Sequence, residues 1–250
     1  MRKRRGNSRF FIIFISVLSG VFLLYQLLIY LNSNLNILPV KEITVSGNST
    51  ILTASLLAAA DSLHYKNLYS LPKVEILRCF QSFPRIARIV ISRKFPDELH
   101  LKITERIPVF NVKTVDGYIF PVDENALAIS PPEDGRKEDM PFISLKLPAD
   151  SIYIGNVISD EFLGTMLQKR KDIIQLEPDF FDYFSEIYLE NDKPVFIETD
   201  QGYRVVFAFT ELDLAAQEYM KLKDTFSFDS NTLIDMQQDG LYRITKMEKK

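Results

Sequence analysis

The chain is 250 residues long, which leaves room for a membrane anchor and one or two modest domains. A charged share of 25% and an apolar share of 46% argue against wholesale disorder. Five basic residues and no acid precede Lys41. Without these five, 25 basic residues face 33 acidic ones, so the remainder carries about −8 and is a poor nucleic-acid binder.

The single cysteine, Cys79, excludes an intrachain disulfide and a thiolate metal cluster. We expect it to be a packed core thiol rather than a reactive nucleophile.

An uncharged apolar run extends from Phe10 to Leu31. As a helix its 22 residues span roughly 33 Å, enough to cross the hydrocarbon core of a bilayer. The alternative is a cleaved signal peptide, but such apolar regions are about 7–15 residues long and end at small-x-small. We therefore predict a transmembrane helix at 10–31. The basic tail at 1–9 predicts a cytoplasmic N-terminus and an extracytoplasmic remainder, and its charges are Arg2, Lys3, Arg4, Arg5 and Arg9.

Residues 40–108 are predicted to form a β-α-α-β-β unit, in which two helices cover one face of a three-stranded sheet. The first strand alternates from Val40 to Val45 and ends at a Gly47-Asn48 turn. Two helices follow, the first with Thr53 as its predicted N-cap and the second with Pro72 in its first turn. Their predicted core positions are Leu52, Leu56, Ala59, Ala60 and Leu63 in the first helix and Ile76, Leu77, Phe80 and Phe83 in the second.

Two strands complete this unit, joined by the turn residues Pro96-Asp97. One places Ala87, Ile89 and Ile91 on a single face. The other is half-buried, with Leu99, Leu101 and Ile103 facing inward and His100, Lys102 and Thr104 facing outward.

The order of the elements in this unit and the positions of its glycine and proline residues resemble those of the POTRA domain of the FtsQ/DivIB family of bacterial cell-division proteins. Phe95 stands where the family usually has Trp. The resemblance covers roughly residues 1–122 well and the rest more faintly. The matching residues are Ile43, Val45, Gly47, Asn48, Pro84, Ile86, Ile91, Arg93, Pro96, Leu99, Leu101, Ile103, Glu105, Arg106 and Pro108.

Residues 109–250 are predicted to form a mixed, mainly antiparallel β domain with helices, so the fold class is α+β. Two strands meet at Asp116-Gly117, a polar loop and a helix at 161–176 follow, and then come three strands, a helix with Thr210 as its N-cap, and two last strands joined by Asp239-Gly240. This order is similar to the second domain of the FtsQ family. Ile234-Asp235 stands where the family writes I-D-L-R, and Met236-Gln237 replaces Leu-Arg.

No catalytic constellation emerges from the titratable residues. His100 faces outward, and Asp97, Glu98 and Glu105 lie at a turn and a strand end, where solvated ion pairs with Lys94 and Arg106 are favoured over paired catalytic carboxylates. Ser70 and Lys73 match S-x-x-K, but Pro72 interrupts the match and the partner motifs of those acyltransferases are missing. We predict no catalytic residue, no metal site and no cofactor.

The resemblance implies a non-enzymatic divisome scaffold at the septum, single-pass in the inner membrane, that binds neither nucleic acid nor a small-molecule substrate. Its implied partners are the small bitopic division proteins FtsB and FtsL, docked by strand addition at the last strand. The predicted docking residues are Leu241, Tyr242, Arg243, Ile244 and Thr245. Two alternatives stay open, a POTRA-type chaperone module for outer-membrane assembly or secretion and, less favoured, a membrane-anchored hydrolase.

Overall fold

The computed structural model describes residues 7–35, 38–131, 140–238 and 241–246. The chain forms two compact units, Met1–Glu105 and Arg106–Lys250. This division falls near the predicted boundary between residues 108 and 109, and the domain limits themselves stay a prediction.

The first helix, α1, runs from Asn7 to Leu35. Within it, Phe10–Leu31 is long and apolar enough to cross a membrane, and none of it is buried against the rest of the protein. The side chains of the basic tail at 1–9 lie outside the described residues.

The first unit has the predicted β-α-α-β-β order. Strand β3 lies between the other two, so the order in the sheet is β1-β3-β2, with β1 parallel and β2 antiparallel to β3. The predicted alternation in β3 is confirmed, because Leu99, Leu101 and Ile103 are buried. The elements are β1 (Glu42–Ser46), α2 (Thr53–Ala60), α3 (Lys73–Arg78), β2 (Ile86–Lys94) and β3 (Glu98–Glu105).

Local details of this unit differ from the prediction. Thr53 is not the N-cap of α2, since Leu52 holds that position without a side-chain hydrogen bond, and the Thr53 hydroxyl accepts from Asn48 Nδ2 at 3.0 Å. Ala87 is exposed rather than inward-facing, because the register of β2 against β3 shifts between Ile86 and Arg88. Two predicted core positions are exposed instead, Leu52 because it lies before the first turn of α2, and Leu77 in α3. Cys79 is only half-buried.

The second unit contains an eight-stranded mixed sheet in the order β11-β10-β9-β8-β7-β6-β4-β5. Among the described strands, four pairings in this sheet are antiparallel and three are parallel. The elements are β4 (Phe110–Lys113), β5 (Ile119–Val122), β6 (Phe142–Ser144), α4 (Glu161–Leu176), β7 (Phe184–Glu190), β8 (Lys193–Glu198), β9 (Arg204–Phe207), α5 (Leu212–Thr225), β10 (Thr232–Gln238) and β11 (Leu241–Lys246).

The helices of this unit pack their buried faces into an aromatic core. Asp160 caps α4, accepting from the Leu163 amide at 2.9 Å. The predicted N-cap Thr210 is wrong, because α5 begins at Leu212 after Glu211, without a side-chain cap. Strand β6 was not predicted, since three residues are too few to show a period. Most of the predicted polar loop and the Asp239-Gly240 turn lie outside the described residues.

Candidate functional site

The last strand, β11, carries the exposed end of a row of side chains that is otherwise buried in the core. The strand registers align one residue from each strand of the sheet on a single face, and seven of these eight side chains are buried. The eighth, Ile244, lies opposite the buried Ile234 and is 45% exposed. The row consists of Phe120, Val112, Ile143, Ile187, Phe196, Val205, Ile234 and Ile244.

The two edges of this sheet differ. Along β5, the backbone of Ala128 forms a bridge with Val122, and the Ile129 amide donates to the Pro121 carbonyl at 3.0 Å. At the other edge, no segment within the described parts of the chain pairs with the outer side of β11. Unpaired strand edges accept a further strand, so β11 is the edge that can bind an extended segment.

The side chains of β11 give this edge a mixed character. Tyr242 is 47% exposed, and Arg243 and Thr245 are also exposed, whereas the Leu241 side chain lies outside the described residues. Arg243 stands opposite Asp235 of β10. The edge therefore offers apolar area on one face and hydrogen-bonding or charged groups on the other.

Neighbouring charges stabilise the base of this hairpin. Lys246 Nζ lies 3.4 Å from Asp229 Oδ2, and the Thr232 hydroxyl donates to Asp229 Oδ1 at 2.8 Å. The Thr232 hydrogen bond is the main cause that lowers the pKa of Asp229, with Lys246 adding to it.

A shallow groove of about 260 Å³ lies between α5 and the end of β10. Leu214 and Ala215 of α5 line it together with Met236 and Gln237. Among the described residues, the lining of the groove includes none from β11.

The sequence candidates for catalysis are not brought into a reactive arrangement. Ser70 lies in a loop, where its amide donates to Asn67 Oδ1 at 3.0 Å, and α3 begins only at Lys73. The His100 ring nitrogens lie 2.9 Å from the Thr44 hydroxyl and 3.2 Å from the Ser46 hydroxyl. Among the described residues, no group of three His, Cys, Asp or Glu side chains could hold a metal ion.

Glu105 corrects the expectation of a solvated ion pair. Its carboxylate is buried and accepts from the amides of Ser49, Thr50 and Ile51 at 2.8–3.1 Å, so it anchors the loop after β1. Desolvation opposes its ionisation, but the hydrogen bonds from these amides outweigh that effect and lower the pKa of Glu105.

Two arginines of the motif also have structural roles. Arg106, which was expected to pair with an acid of the first unit, binds Asp123 Oδ2 at 2.7 Å. Arg93 donates to the carbonyls of Leu68 and Leu71 at 2.8 and 2.7 Å. By contrast, Glu98 does form the expected ion pair with Lys94, whereas Asp97 pairs with Lys41, which was not predicted. The acidic and basic groups between Arg93 and Arg106 named above therefore stabilise loops and turns.

Comparison with known proteins shows what parts of this chain are similar to. Residues 38–106 match the family model described as "POTRA domain, FtsQ-type". Over this segment the chain is similar to FtsQ-type cell-division proteins. A curated relative, the cell division protein FtsQ of Myxococcus fulvus, is 23% identical over 150 residues, which is 60% of this chain. The matched segment covers 52% of that FtsQ, so the chain spans about half the length of this relative.

The FtsQ-type pattern thus has a structural explanation in this chain. Gly47 has a φ of +81°, and a Cβ there would lie 2.4 Å from the Ile103 carbonyl oxygen. Gly47, Arg93 and Glu105 each hold a loop against the sheet of the POTRA domain. The predicted docking residues at 241–245 lie outside the POTRA match and stay a prediction.

Proposed function

We propose that the chain is a non-enzymatic divisome scaffold, held in the bacterial inner membrane by α1. Its N-terminus would lie in the cytoplasm and its two units on the extracytoplasmic side, at the division septum. There it would recruit and link septal cell-division proteins. The FtsQ-type POTRA match and the apolar span at Phe10–Leu31 support this proposal.

The observation that carries the proposal is the unpaired edge of β11 beside the exposed end of the core row at Ile244. An extended partner segment added there would gain main-chain hydrogen bonds, and its side chains would cover Tyr242 and Ile244. By family resemblance, the partners are FtsB-type and FtsL-type bitopic proteins, with 241–245 as the docking strand.

The first test is co-purification of the full-length chain with FtsB-type and FtsL-type proteins. Tyr242→Ala should weaken binding by about 2 kcal/mol, or roughly 30-fold, because a half-exposed Tyr at an interface centre is a frequent hot spot. The matched control is Tyr118→Ala, which removes a 51% exposed Tyr directly before β5, the strand at the opposite edge of the same sheet. Equal binding by both variants would refute a role for Tyr242.

The second test uses proline at two adjacent positions, Arg243 and Ile244. Neighbouring amides of a strand point to opposite sides, so one proline removes a donor facing β10 and the other removes a donor facing outward. One of the two variants should keep its circular dichroism spectrum and lose partner binding. If both variants remain folded and bind fully, β11 is not the docking edge.

The third test addresses the cellular role. Depletion of the protein should give filamentous, undivided cells if it is a division scaffold. Envelope leakage with normal septation would instead support the outer-membrane assembly role.

A further inference from the structure

Three exposed aromatic side chains lie at one end of the POTRA domain. Tyr65 and Phe95 are 76% and 77% exposed, and Tyr69 is also exposed. Tyr65 belongs to the loop between α2 and α3, and Phe95 belongs to the turn between β2 and β3.

Backbone hydrogen bonds place both segments beside the start of β1. The Tyr65 amide donates to the Val40 carbonyl at 2.9 Å, and the Leu68 amide donates to the Leu38 carbonyl at 2.8 Å. The Lys41 amide donates to the Asp97 carbonyl at 3.0 Å, two residues beyond Phe95. The segments that carry the aromatic residues therefore lie beside the point where the chain enters the domain.

This point is close to the membrane-spanning helix along the chain. The apolar span ends at Leu31, and α1 continues as a helix to Leu35, about 6 Å further. From Leu35 to Leu38 the chain can extend by at most about 11 Å. Leu38 is thus within about 17 Å of the hydrocarbon boundary, and the headgroup layer occupies roughly the first 6 Å of that distance.

The loop that carries Tyr65 and Tyr69 is held in place by its backbone. Asn67 Oδ1 accepts from the amides of Tyr69 and Ser70, and Arg93 donates to the Leu68 carbonyl. Tyr65 has a φ of +64°, an uncommon conformation for a bulky residue. The backbone is therefore fixed while the aromatic rings project outward.

We propose that Tyr65, Tyr69 and Phe95 form a membrane-contact surface that lies in the lipid headgroup layer. Tyrosine rings are favoured at membrane–water interfaces because they are amphipathic. Phenylalanine is typical of the apolar faces that are buried at the boundary between headgroups and acyl chains. The lysines around this surface are paired with acids, as in Lys41–Asp97, Lys66–Glu75 and Lys94–Glu98. Contact with lipid would therefore depend on the rings and little on lipid charge.

The absence of tryptophan from the sequence allows a direct test with single-tryptophan variants. Full-length Tyr65→Trp and Phe95→Trp would be reconstituted in phosphatidylcholine vesicles, with and without lipid brominated near the top of the acyl chain. The control is Leu52→Trp, since Leu52 is 69% exposed and follows the opposite end of β1, a strand about 17 Å long. Circular dichroism would check folding.

The expected result is that brominated lipid quenches the emission at positions 65 and 95 and leaves position 52 unquenched. Added salt or anionic lipid should not change this pattern. Equal quenching at all three positions, or none at 65 and 95, would overturn the proposal. Shielding of 65 and 95 only after FtsB-type and FtsL-type proteins are added would show that the surface binds protein instead. The lipid measurement itself is made without these proteins, so its outcome is independent of binding at β11.

Discussion

The two units of the molecule build their cores from different side chains. In the POTRA domain the core is largely aliphatic, and among its described residues Phe80 is the single fully buried aromatic. In the second unit, Phe180 lies with its ring centroid 5.0–6.0 Å from five others. Those rings belong to Phe181, Phe184, Phe196, Phe207 and Tyr219.

The POTRA domain, which has few buried aromatic rings, is also held by hydrogen bonds to the backbone of its loops. Glu105, Arg93 and Asn67 each bind backbone groups of a loop, and Gly47 brings the backbone close to Ile103. A domain of this size buries limited apolar area. Polar side chains and backbone geometry therefore fix the loops around the small core, whereas the packing of aromatic rings organises the large core.

The largest change in stability is expected when the Phe180 ring is removed. Phe180→Ala should destabilise the second unit by about 3–5 kcal/mol, because it leaves a cavity among five rings. Hydrogen exchange of the full-length chain should show faster exchange throughout β7, β8 and β9, with the POTRA strands unchanged. Phe95→Ala, at an exposed position, is the control. Equal destabilisation of both units would contradict their separate cores.

The corresponding change in the POTRA domain is at a backbone position. Gly47→Ala should cost about 2–3 kcal/mol, from its positive φ and the contact with the Ile103 carbonyl. Gly117 has the same φ of +81°, but a Cβ there meets no atom within 4 Å, so Gly117→Ala should cost only about 1 kcal/mol. Chemical denaturation of both variants would measure this difference, and equal losses would show that backbone strain alone matters.

A smaller effect is expected at Glu105. Glu105→Gln should cost about 1–2 kcal/mol, because an amide is a weaker acceptor for three backbone amides. The pKa of Glu105 is lowered in the folded state, so its contribution is present above the ordinary glutamate pKa and is lost as pH falls through the folded value.

Denaturation of the POTRA domain as a function of pH should therefore show a shallower acid decline in Glu105→Gln than in the parent chain. The control Glu42→Gln makes the same change at an exposed position of the same sheet. An unchanged acid profile in Glu105→Gln would show that the three amide hydrogen bonds do not contribute.

The smallest effect belongs to a tyrosine pair in the second unit, where the hydroxyls of Tyr203 and Tyr219 lie 2.8 Å apart. Tyr219→Phe should cost about 1 kcal/mol by leaving the Tyr203 hydroxyl without this bond. Burial raises the pKa of both tyrosines. Their contribution is thus complete below the unfolded tyrosine pKa of about 10 and declines as pH rises above it.

Alkaline denaturation tests this prediction. The double variant Tyr203→Phe/Tyr219→Phe should decline less steeply above pH 10 than the parent chain. Tyr153→Phe, at an exposed position, should follow the parent. The two units would then differ in their pH response, with acid weakening the Glu105 contacts and alkali weakening the tyrosine pair.

Periodic patterns in the sequence predicted the elements that bury one face, such as the alternation of Leu99, Leu101 and Ile103. Short or locally determined features were missed. Strand β6 has three residues, and a shift in register turned Ala87 outward. Glu105 looked solvated, because its partners are the amides of a loop more than fifty residues earlier in the chain.

The candidate edge was predicted at 241–245 from strand order and family resemblance. The exposure of Ile244 could not be predicted, because it depends on the register of eight strands and on which part of the sheet the helices pack against. The coverage of the opposite edge by Ala128 and Ile129 was equally invisible, since those residues form no regular strand.

The parallel pairing of β1 with β3 has a consequence for folding during synthesis. Glu42 pairs with Glu98, so β1 cannot pair with another strand of its sheet until β3 has been synthesised. A loop of some fifty residues must close first, and such distant contacts slow folding. Nascent chains that end before Glu105 should therefore remain open and sensitive to protease, whereas longer ones can close the POTRA domain in one cooperative step.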